Sequence, residues 1–407
     1  MSLQLGVRSR PEPASVPRAS RGVAGAVVIG GDYRSLGVVR SLGRRGIPVW
    51  LLTDDHWLAA SSRYVLVRKR LPAGGQLAHL DFLIRLAEES GLGGWTLIPT
   101  TDDGAELAAR HHGRLSKHFI VGVPAWKALR WAHDKRLTYA LAERAGVDYP
   151  WTFAPADESE LRIARGRFPV IVKPAYKPSY NALTAAKAWR ADDEATLLLA
   201  YRAACELVPP HAVLVQEFVS GGGEAHYSYA ALAVDGAVLA ALTAKRVRQW
   251  PMSIGRASTY VETVVEPAVK DAAVRLLAAM RFTGLVEIEF KRDVRGSLKL
   301  LDINPRVWGW HSIGPRAGVD FPYLLWRVLH GESVEPVCGT PGVRWMRFST
   351  DLPMALLEIV GGRLLVRDYL EAFRGPLELA IFAADDPLPA LCELPLIVQQ
   401  LIRRRGF

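Results

Sequence analysis

The stretch 283–310, TGLVEIEFKRDVRGSLKLLDINPRVWGW, predicts a hairpin with acidic side chains on one face. Residues 286–290, VEIEF, alternate apolar and acidic side chains, which is typical of a strand with one buried face. The charged, glycine-containing segment 291–297 is typical of a turn. A second strand, LKLLDIN, follows over 298–304.

The pairing of these two strands decides whether their acids meet. With a turn centred on Arg295 and Gly296, Glu289 and Asp302 lie opposite each other at about 5 Å, and Asn304 follows on the same face. Two carboxylates at that distance repel each other unless a divalent cation lies between them, and hard oxygen ligands suit Mg²⁺. A shift of one residue in the pairing would separate the acids, and a solvated charged hairpin is then the alternative.

The residues after the second strand favour the metal site. In Asn304-Pro305-Arg306 the proline ends the strand, because it cannot donate a backbone hydrogen bond. The arginine is thereby left beside the acids, where it suits the charge of a transferring phosphoryl group. The EIEF and LLDINPR segments resemble the magnesium-binding end of the ATP-grasp superfamily, in the style of carboxylate–amine ligases such as D-aspartate ligase, D-alanine:D-alanine ligase and carbamoyl-phosphate synthetase.

This resemblance implies metal ligands, a catalytic pair and a nucleotide site. The metal ligands are Glu289, Asp302 and Asn304, and the catalytic residues are Arg306, which steadies the acyl phosphate, and Lys245. Residues that contact ATP by resemblance are Lys135, Lys173 and Lys245 at the phosphates, Gln216, Glu217 and the backbone of Phe218 and Val219 at the adenine, and Glu224 at the ribose.

Each phosphate lysine also has an interpretation that needs no nucleotide. Lys135 follows Asp134 at the start of a helix predicted over 135–144, where a lysine opposes the helix dipole unless an anion is near. Lys173 ends the apolar strand FPVIVKP, so it must reach water or an anion. Lys245 follows a hairpin predicted around Asp235-Gly236, and it could belong to a solvated basic patch.

Two loops bear on how the nucleotide is covered. The loop 175–182 contains no glycine, whereas many ATP-grasp proteins cover the phosphates with a glycine-rich loop here, and Lys177, Ser179 and Asn181 are candidate substitutes. The loop 249–259 is expected to be mobile and to close over the site.

The first part of the chain predicts a parallel sheet. Residues 23–52 have a strand–helix–strand pattern. Gly30, Gly31 and Gly37 resemble a dinucleotide fingerprint only loosely, so a tight turn against a helix is favoured over a nicotinamide or flavin site. Asp102 and Asp103 follow a strand and are candidates to hold a substrate, and capping of the next helix by Thr101 or Asp102 is the alternative.

Composition narrows the classes of partner and compartment. The net charge of +10 favours anionic partners, and no basic run with interleaved aromatic residues favours nucleic acid. Three widely spaced cysteines predict a reducing, cytoplasmic protein without disulfides. No apolar run reaches the ~18 residues that span a bilayer. The C-terminal LPLIVQQLI and RRR segments are expected to form a docked helix, with peripheral membrane contact as the less favoured alternative.

The expected fold class is α/β, with an ATP-grasp fold preceded by a small parallel-sheet (pre-ATP-grasp) α/β domain. The expected domains are a disordered tail (1–22), a pre-ATP-grasp domain (23–123), an ATP-grasp domain (124–338) with a lid subdomain at about 150–220, and a C-terminal extension (339–407). His311 is the one tempting proton carrier nearby, and a hydrogen-bonded structural histidine is favoured.

The resemblance implies an ATP-dependent ligase that joins a carboxylate to an amine through an acyl phosphate and uses ATP with Mg²⁺ or Mn²⁺. The alternatives are an ATP-grasp enzyme with another acceptor, for carboxylation or for ligation to a thiol or alcohol, and a non-catalytic nucleotide-binding regulator. The expected partners are small-molecule carboxylates and amines, not nucleic acid. Members of the superfamily are often dimers, so a homodimer is an expected assembly.

Overall fold

The computed structural model describes residues 24–53, 56–176, 181–250, 257–393 and 395–396. Several expectations fall outside this range and stay predictions. They concern the N-terminal tail, Lys177 and Ser179, residues 251–256 of the covering loop, and 397–407.

The first structural unit is a parallel sheet with helices on both faces. Its strands lie in the order β3-β2-β1-β4-β5, and all neighbours are parallel. Alternate residues of β1 belong to two different apolar clusters, Ala26 and Val28 to one, Val27 and Ile29 to the other. The parallel sheet predicted from the sequence is confirmed, and the structure shows that both of its faces are buried. The elements of this unit are β1 (Ala26–Ile29), α1 (Tyr33–Gly43), β2 (Val49–Thr53), β3 (Val65–Arg70), α2 (Gln76–Ser90), β4 (Trp95–Pro99), α3 (Asp102–Arg110), α4 (His112–Leu115) and β5 (Phe119–Val121).

Two helices then lead to a small antiparallel sheet. Its order is β6-β9-β7-β8, and α8 packs on it through an apolar cluster that includes Leu197 and Tyr201. Asp134 caps α6 by accepting a hydrogen bond from the Arg136 amide, as the sequence predicted. The elements of this part are α5 (Trp126–His133), α6 (Lys135–Arg144), β6 (Thr152–Phe153), β7 (Val170–Pro174), α7 (Ala182–Ala186), β8 (Trp189–Ala191), α8 (Glu194–Leu207) and β9 (Val213–Glu217).

A larger sheet follows, with the path β14-β13-β10-β11-β12-β16-β17 and β15 paired to β11. Asp235 and Gly236 form the turn between β10 and β11 with φ of 47° and 84°, a pair of positive values that asparagine, aspartate and glycine tolerate best. The predicted hairpin at this position is confirmed. The elements of this part are β10 (His226–Val234), β11 (Ala237–Trp250), β12 (Ala257–Val264), α9 (Pro267–Met280), β13 (Gly284–Arg292), β14 (Leu298–Asn304), α10 (Phe321–Leu329), β15 (Val337–Cys338), β16 (Arg344–Met346), α11 (Phe348–Val360), α12 (Val366–Glu371) and β17 (Leu377–Leu379).

The strand β11 corrects one expectation. Lys245 was predicted at the exit of the hairpin and residues 249 onward in a mobile loop, but β11 continues to residue 250. The reason is the next strand of the chain: β12 pairs with β11 from Thr243 to Trp250 and supplies the hydrogen bonds that this end of a lone β10–β11 hairpin would lack.

The segment after residue 339 completes the large sheet. β16 pairs with β12 and β17 pairs with β16, so two C-terminal strands form its last rows. A buried ion pair joins the same segment to the middle of the sheet. Arg248 Nε and Nη2 donate to the carboxylate of Asp351 on α11 at 2.9 and 2.7 Å, and Asp351 is 0% exposed.

The three cysteines are free thiols in the structure. Within the described parts of the chain, no helix has the length and apolar character needed to cross a bilayer.

Candidate nucleotide and metal site

The hairpin of β13 and β14 has the register that the sequence predicted. Glu289 pairs with Asp302 and Glu287 pairs with Asn304, with a β-bulge just beyond Glu289. The amide of Gly296 donates to the carbonyl of Asp293 and closes the turn. Because paired residues of neighbouring strands share a face, the three acids and the asparagine lie together.

Hydrogen bonds tie this acidic group into one cluster. The side-chain amide of Asn304 donates to Glu287 Oε2 at 3.1 Å and to Glu289 Oε1 at 2.9 Å. The indole of Trp310 donates to Glu287 Oε1 at 2.8 Å. Glu287 is only 4% exposed, so these donors replace the water that a carboxylate would otherwise bind. Both amide hydrogens of Asn304 point at acids, so its side-chain oxygen points away from Glu287 and Glu289.

Two cationic side chains and a histidine lie beside the same acids. Arg246 Nη2 lies 3.2 Å from Glu289 Oε2, and His226 Nε2 lies 3.0 Å from that oxygen. Lys135 Nζ donates to Asp302 Oδ1 at 2.9 Å. Each predicted metal-binding carboxylate therefore has a protein cation beside it.

The surroundings push the two buried glutamates in opposite directions. Burial, reinforced by the charge of Glu289, raises the pKa of Glu287 to about 7. Burial also acts to raise the pKa of Glu289, but Arg246 and the hydrogen bond with His226 outweigh it and hold that pKa well below its usual range. Burial, with the charge of Arg246, lowers the pKa of His226 to about 4. At neutral pH Glu289 is an anion and His226 is neutral.

The donor set fits a hard divalent cation by its chemistry. Two carboxylates and a side-chain amide are groups of the kind that Mg²⁺ binds through oxygen, and a rotation of the Asn304 amide would turn its oxygen toward the two acids. The amide oxygen of Asn304 accepts a hydrogen bond from Arg306 Nη2 at 3.3 Å. Among the described residues no group of three or more His, Cys, Asp or Glu side chains is arranged to hold a metal, so a metal here would depend on the asparagine.

A second buried cation lies on the small sheet. Lys173 Nζ donates to the hydroxyl of Tyr139 at 2.9 Å and to Gln216 Oε1 at 2.8 Å. The amide of Gln216 donates to the same hydroxyl at 2.9 Å and to Thr152 Oγ1 at 2.7 Å. No carboxylate takes part in these contacts, so the ammonium group of Lys173 is hydrogen-bonded to uncharged side chains. The structure thus brings Lys173 and Gln216 together, two of the residues assigned to ATP by resemblance.

The predicted adenine and ribose residues lie around the end of β9. Lys299 Nζ donates to both carboxylate oxygens of Glu217 at 2.8 Å, and the amide of Trp151 donates to Glu217 Oε2 at 3.2 Å. The backbone amide of Phe218 donates to the carbonyl of Pro169 at 3.3 Å.

The hinge after β9 leads to an exposed acid. Val219 is buried, whereas Glu224 is exposed and accepts a hydrogen bond from the Gly222 amide at 3.1 Å. Glu217 and Glu224 therefore lie on one connection between β9 and β10, but the structure records no contact between them.

Lys245 is not placed beside the acids. It shares a row across the sheet with Tyr227 and Glu262, whereas Arg246 is the residue that reaches Glu289. Successive residues of a strand point to opposite faces, so Lys245 and Arg246 cannot both face the acidic cluster. The structure gives the position beside the acids to Arg246, which the sequence suggested only as part of a basic patch.

Arg306 links Asn304, one of the predicted metal ligands, to the first sheet. Its Nε donates to Asp102 Oδ1 at 2.5 Å and its Nη1 to the Val307 carbonyl at 3.0 Å, besides the bond to Asn304. Thr101 caps α3 by accepting from the Gly104 amide, so Asp102 is the first residue of the helix rather than its cap.

His311 has a structural environment. Its Nδ1 lies 2.9 Å from the Trp308 carbonyl, and burial lowers its pKa to about 4. Its Nε2 would lie 2.5 Å from a Cβ placed on Gly37, so the glycine at 37 makes room for the imidazole. This contact accounts for one glycine of the loose dinucleotide pattern.

Four residues of the site were not predicted from the sequence: Glu287, His226, Arg246 and Tyr139. Glu287 alternates in phase with Glu289 and was visible in the VEIEF pattern. The position of Arg246 beside the acids could have been predicted from the alternation of side chains along β11. That prediction requires the full length of β11, which depends on its pairing with β12.

Comparisons with known proteins found one family model and several solved structures that are similar to this chain. A family model described as "ATP-grasp in the biosynthetic pathway with Ter operon" matches residues 211–349. Three solved structures illustrate the likeness of fold. They are the biotin carboxylase domain of a 2-oxoglutarate carboxylase from Hydrogenobacter thermophilus in complex with MgADP and bicarbonate (15% identity, TM-score 0.63, covering 80% of this chain and 74% of that one), an L-amino acid ligase from Bacillus licheniformis (16%, 0.57, 76% and 75%), and N5-carboxyaminoimidazole synthetase from Staphylococcus aureus (12%, 0.58, 77% and 79%).

Proposed function

Because this chain belongs to the ATP-grasp superfamily, we propose that it is an ATP-dependent ligase that joins a carboxylate to an amine and releases ADP and phosphate. The observation that carries the proposal is the cluster in which Glu289, Asp302 and Asn304 lie within hydrogen-bond distance of Arg246, Lys135 and Arg306. Phosphoryl transfer requires acidic side chains that bind a metal ion and, beside them, cationic side chains that bind the phosphates.

Glu289, Asp302 and Asn304 would hold the metal. Bound there, Mg²⁺ (or Mn²⁺) supplies positive charge to the β- and γ-phosphates of ATP. Lys135 and Arg246 neutralise the carboxylates in the free protein, and in the complex they turn to phosphate oxygens. Lys173, whose hydrogen bonds among the described residues go to neutral partners, offsets further phosphate charge.

The reaction needs no nucleophilic side chain. A carboxylate oxygen of the substrate takes the γ-phosphoryl group of ATP, and ADP leaves. The amine nitrogen then attacks the acyl carbon, the bond from that carbon to the phosphate oxygen breaks, and phosphate leaves with the bonding electrons. Overall the ammonium substrate releases one proton to the solvent. Arg306 steadies the negative charge on the phosphoryl oxygens in both steps.

The remaining assignments are also proposals. We assign the adenine to Gln216, Glu217 and the backbone of Phe218 and Val219, and the ribose to Glu224. The unit of residues 23–123 is proposed as a domain that precedes the ATP-grasp core. The extension after 339 is proposed as an addition to that core, since β16 and β17 continue its large sheet. A cytoplasmic location and a homodimer stay predictions.

The test is ADP release from ATP and Mg²⁺ in the presence of pools of amino acids, with and without hydroxylamine, which traps acyl phosphates as hydroxamates. We expect ADP release that depends on the amino acids, a hydroxamate product, and the loss of both in Asp302→Ala. Arg295→Ala, which changes an exposed side chain in the turn of the same hairpin, should keep both. ADP release equal in the wild type and in Asp302→Ala would contradict the proposal.

A further inference from the structure

We propose that a second copy of this chain binds on the apolar face of α11 and α12, so that the same face of both copies forms a two-fold symmetric interface. This location goes beyond the homodimer expected by resemblance, for which no surface was assigned. It does not depend on the proposed ligase function.

The two helices pack on the large sheet through one apolar cluster. Ala355 of α11, Tyr369 of α12 and Ala372 just after it are buried in that cluster. The sheet contributes Tyr260 of β12 and Met346 of β16. Since both helices turn one side toward the same cluster, their other sides face away from the body of the protein.

Contacts at both ends make the two helices a closed antiparallel hairpin. At one end the rings of Phe348 and Phe373 lie 6.4 Å apart. At the other end Arg363 Nε and Nη2 donate to the carboxylate of Glu358 at 2.7 and 2.9 Å. The outer sides of α11 and α12 therefore form one continuous surface, which we call the α11–α12 face.

The α11–α12 face is apolar. Nineteen large apolar residues of the described chain are exposed, and eight of them, each 41% to 88% exposed, fall within residues 348–373. They include Leu356, Leu357 and Val360 on α11, followed by Val366, Leu370 and Phe373 at helical spacing along and just after α12. Single exposed apolar residues are ordinary, but a concentration of this kind marks an interaction site.

The area of the face matches that of a protein interface. The eight residues are on average somewhat more than half exposed, so with about 200 Å² for each in an extended chain they present on the order of 900 Å². The largest apolar patch of a typical monomer measures about 300–600 Å², whereas a stable complex buries about 800 Å² on each partner. The face is therefore large enough to form one interface without further contacts.

The charges around the face favour a second copy over other partners. Residues 352–376 carry three arginines and three acids, so this segment has no net charge on a chain whose net charge is +10. A membrane-binding surface has an excess of lysine and arginine. Equal numbers of both signs instead make a surface complementary to itself, because a two-fold axis brings the cations of one copy to the acids of the other.

Two opposite charges at the end of α12 are available to the second copy. Glu371 and Arg374 are exposed, and within the described ranges neither side chain forms an ion pair. In a two-fold interface Glu371 of one copy meets Arg374 of the other, and the pair forms twice.

The experiment measures the mass of the full chain by sedimentation equilibrium between about 1 and 50 µM, a range that brackets the affinity of a standard-sized interface. We expect the wild type to reach twice the 44.8 kDa of one chain. Leu370→Asp should weaken association at least about 100-fold, since the two-fold axis places two unpaired carboxylates in the interface.

Two matched variants separate this effect from a general one. Leu370→Met keeps an apolar side chain and should associate within about 3-fold of the wild type. Leu199→Asp makes the same change at an exposed leucine of α8 and should leave association unchanged. Urea unfolding of each variant verifies that it is folded.

A charge exchange tests the two-fold pairing. Glu371→Arg and Arg374→Glu should each weaken association about 10-fold, because each places like charges together, and the double variant should restore it. Losses that add in the double variant would contradict this pairing.

Three results would overturn the proposed interface. One is a dimer that Leu370→Asp leaves intact, which places the interface elsewhere. Another is a monomeric wild type that dimerises only when residues 397–407 are deleted, which means that this segment covers the face. The third is a monomeric wild type that co-sediments with vesicles of phosphatidylglycerol and phosphatidylcholine and loses this binding in Leu370→Asp, which assigns the face to a membrane.

Discussion

The buried ion pair between Arg248 and Asp351 should respond unequally to the loss of either partner. Both side chains are almost fully covered, and the guanidinium also lies 4.2 Å from the ring centre of Tyr260 and 5.1 Å from that of Tyr369. Removing one partner of such a pair costs about 3–5 kcal/mol, because the other charge stays buried and unpaired. Against a total stability of about 5–15 kcal/mol, that is a large loss.

The two single variants should differ in their dependence on pH. In Arg248→Met the remaining carboxylate can take up a proton, so the folded state binds protons more tightly than the unfolded state and stability relative to wild type recovers as pH falls. This recovery of stability is at most about 1.4 kcal/mol per pH unit, or about 2.7 kcal/mol between pH 7 and pH 5. In Asp351→Leu the remaining guanidinium cannot lose its proton, so the loss should stay constant.

Urea unfolding at pH 5, 6 and 7 measures both effects, and hydrogen exchange over residues 348–360 reports whether α11 detaches locally. The double variant Arg248→Met/Asp351→Leu is the matched control, and we expect its stability to return close to that of the wild type, since apolar replacements of buried pairs are often neutral or stabilising. A loss below about 1 kcal/mol in either single variant at pH 7, or the same pH dependence in both, would refute the reasoning.

Three further outcomes are expected. By calorimetry, Arg246→Leu should weaken ATP binding about 10- to 100-fold and Lys245→Leu about 2-fold at most, because only Arg246 faces the acidic cluster; equal effects would contradict this placement. Lys173→Met should weaken ATP by a similar factor but leave adenosine binding unchanged, since its charge acts on phosphate; a matching loss for adenosine would show that Lys173 supports the base site instead. For His311 burial sets the pKa at about 4, below the ordinary 6.5, so its contribution to stability is complete above pH 6.5 and declines as pH falls toward 4. Between pH 7 and pH 5 the wild type should lose about 2 kcal/mol from this group, and urea unfolding of His311→Gln should lack that loss, whereas parallel curves would show that His311 titrates normally.

The features predicted correctly from the sequence depend on contacts between residues near each other in the chain. The hairpin at 283–304 has its register set by a short turn, and α6 has its own cap in Asp134. The turn at Asp235 and Gly236 needs positive φ angles, and an aspartate followed by a glycine is a residue pair that predicts such a turn. Local signals of this kind were enough to predict the α/β class and, with the resemblance, the ATP-grasp fold.

The features that were missed depend on strand pairing that no residue pattern in the chain indicated. β11 extends to residue 250 because the next strand, β12, pairs with it, and the alternation of side chains along β11 brings Arg246 rather than Lys245 to Glu289. The C-terminal extension carried no motif, yet its strands and Asp351 are integrated into the large sheet. The assignments of single residues to ATP and metal stay predictions, because a sequence shows which charged residues are present and not which ligand they bind.

The position of β16 in the large sheet has a consequence for synthesis on the ribosome. β12 ends at residue 264, but β16, the strand that pairs with its edge, comes from 344–346. At about 5–20 residues per second, roughly 4–16 s pass between the emergence of β12 and that of β16. During this interval β12 has an open edge, to which strands of other nascent chains could add. We therefore expect that the yield of this protein in cells depends on translation speed over residues 265–346 and on chaperones that shield one strand edge.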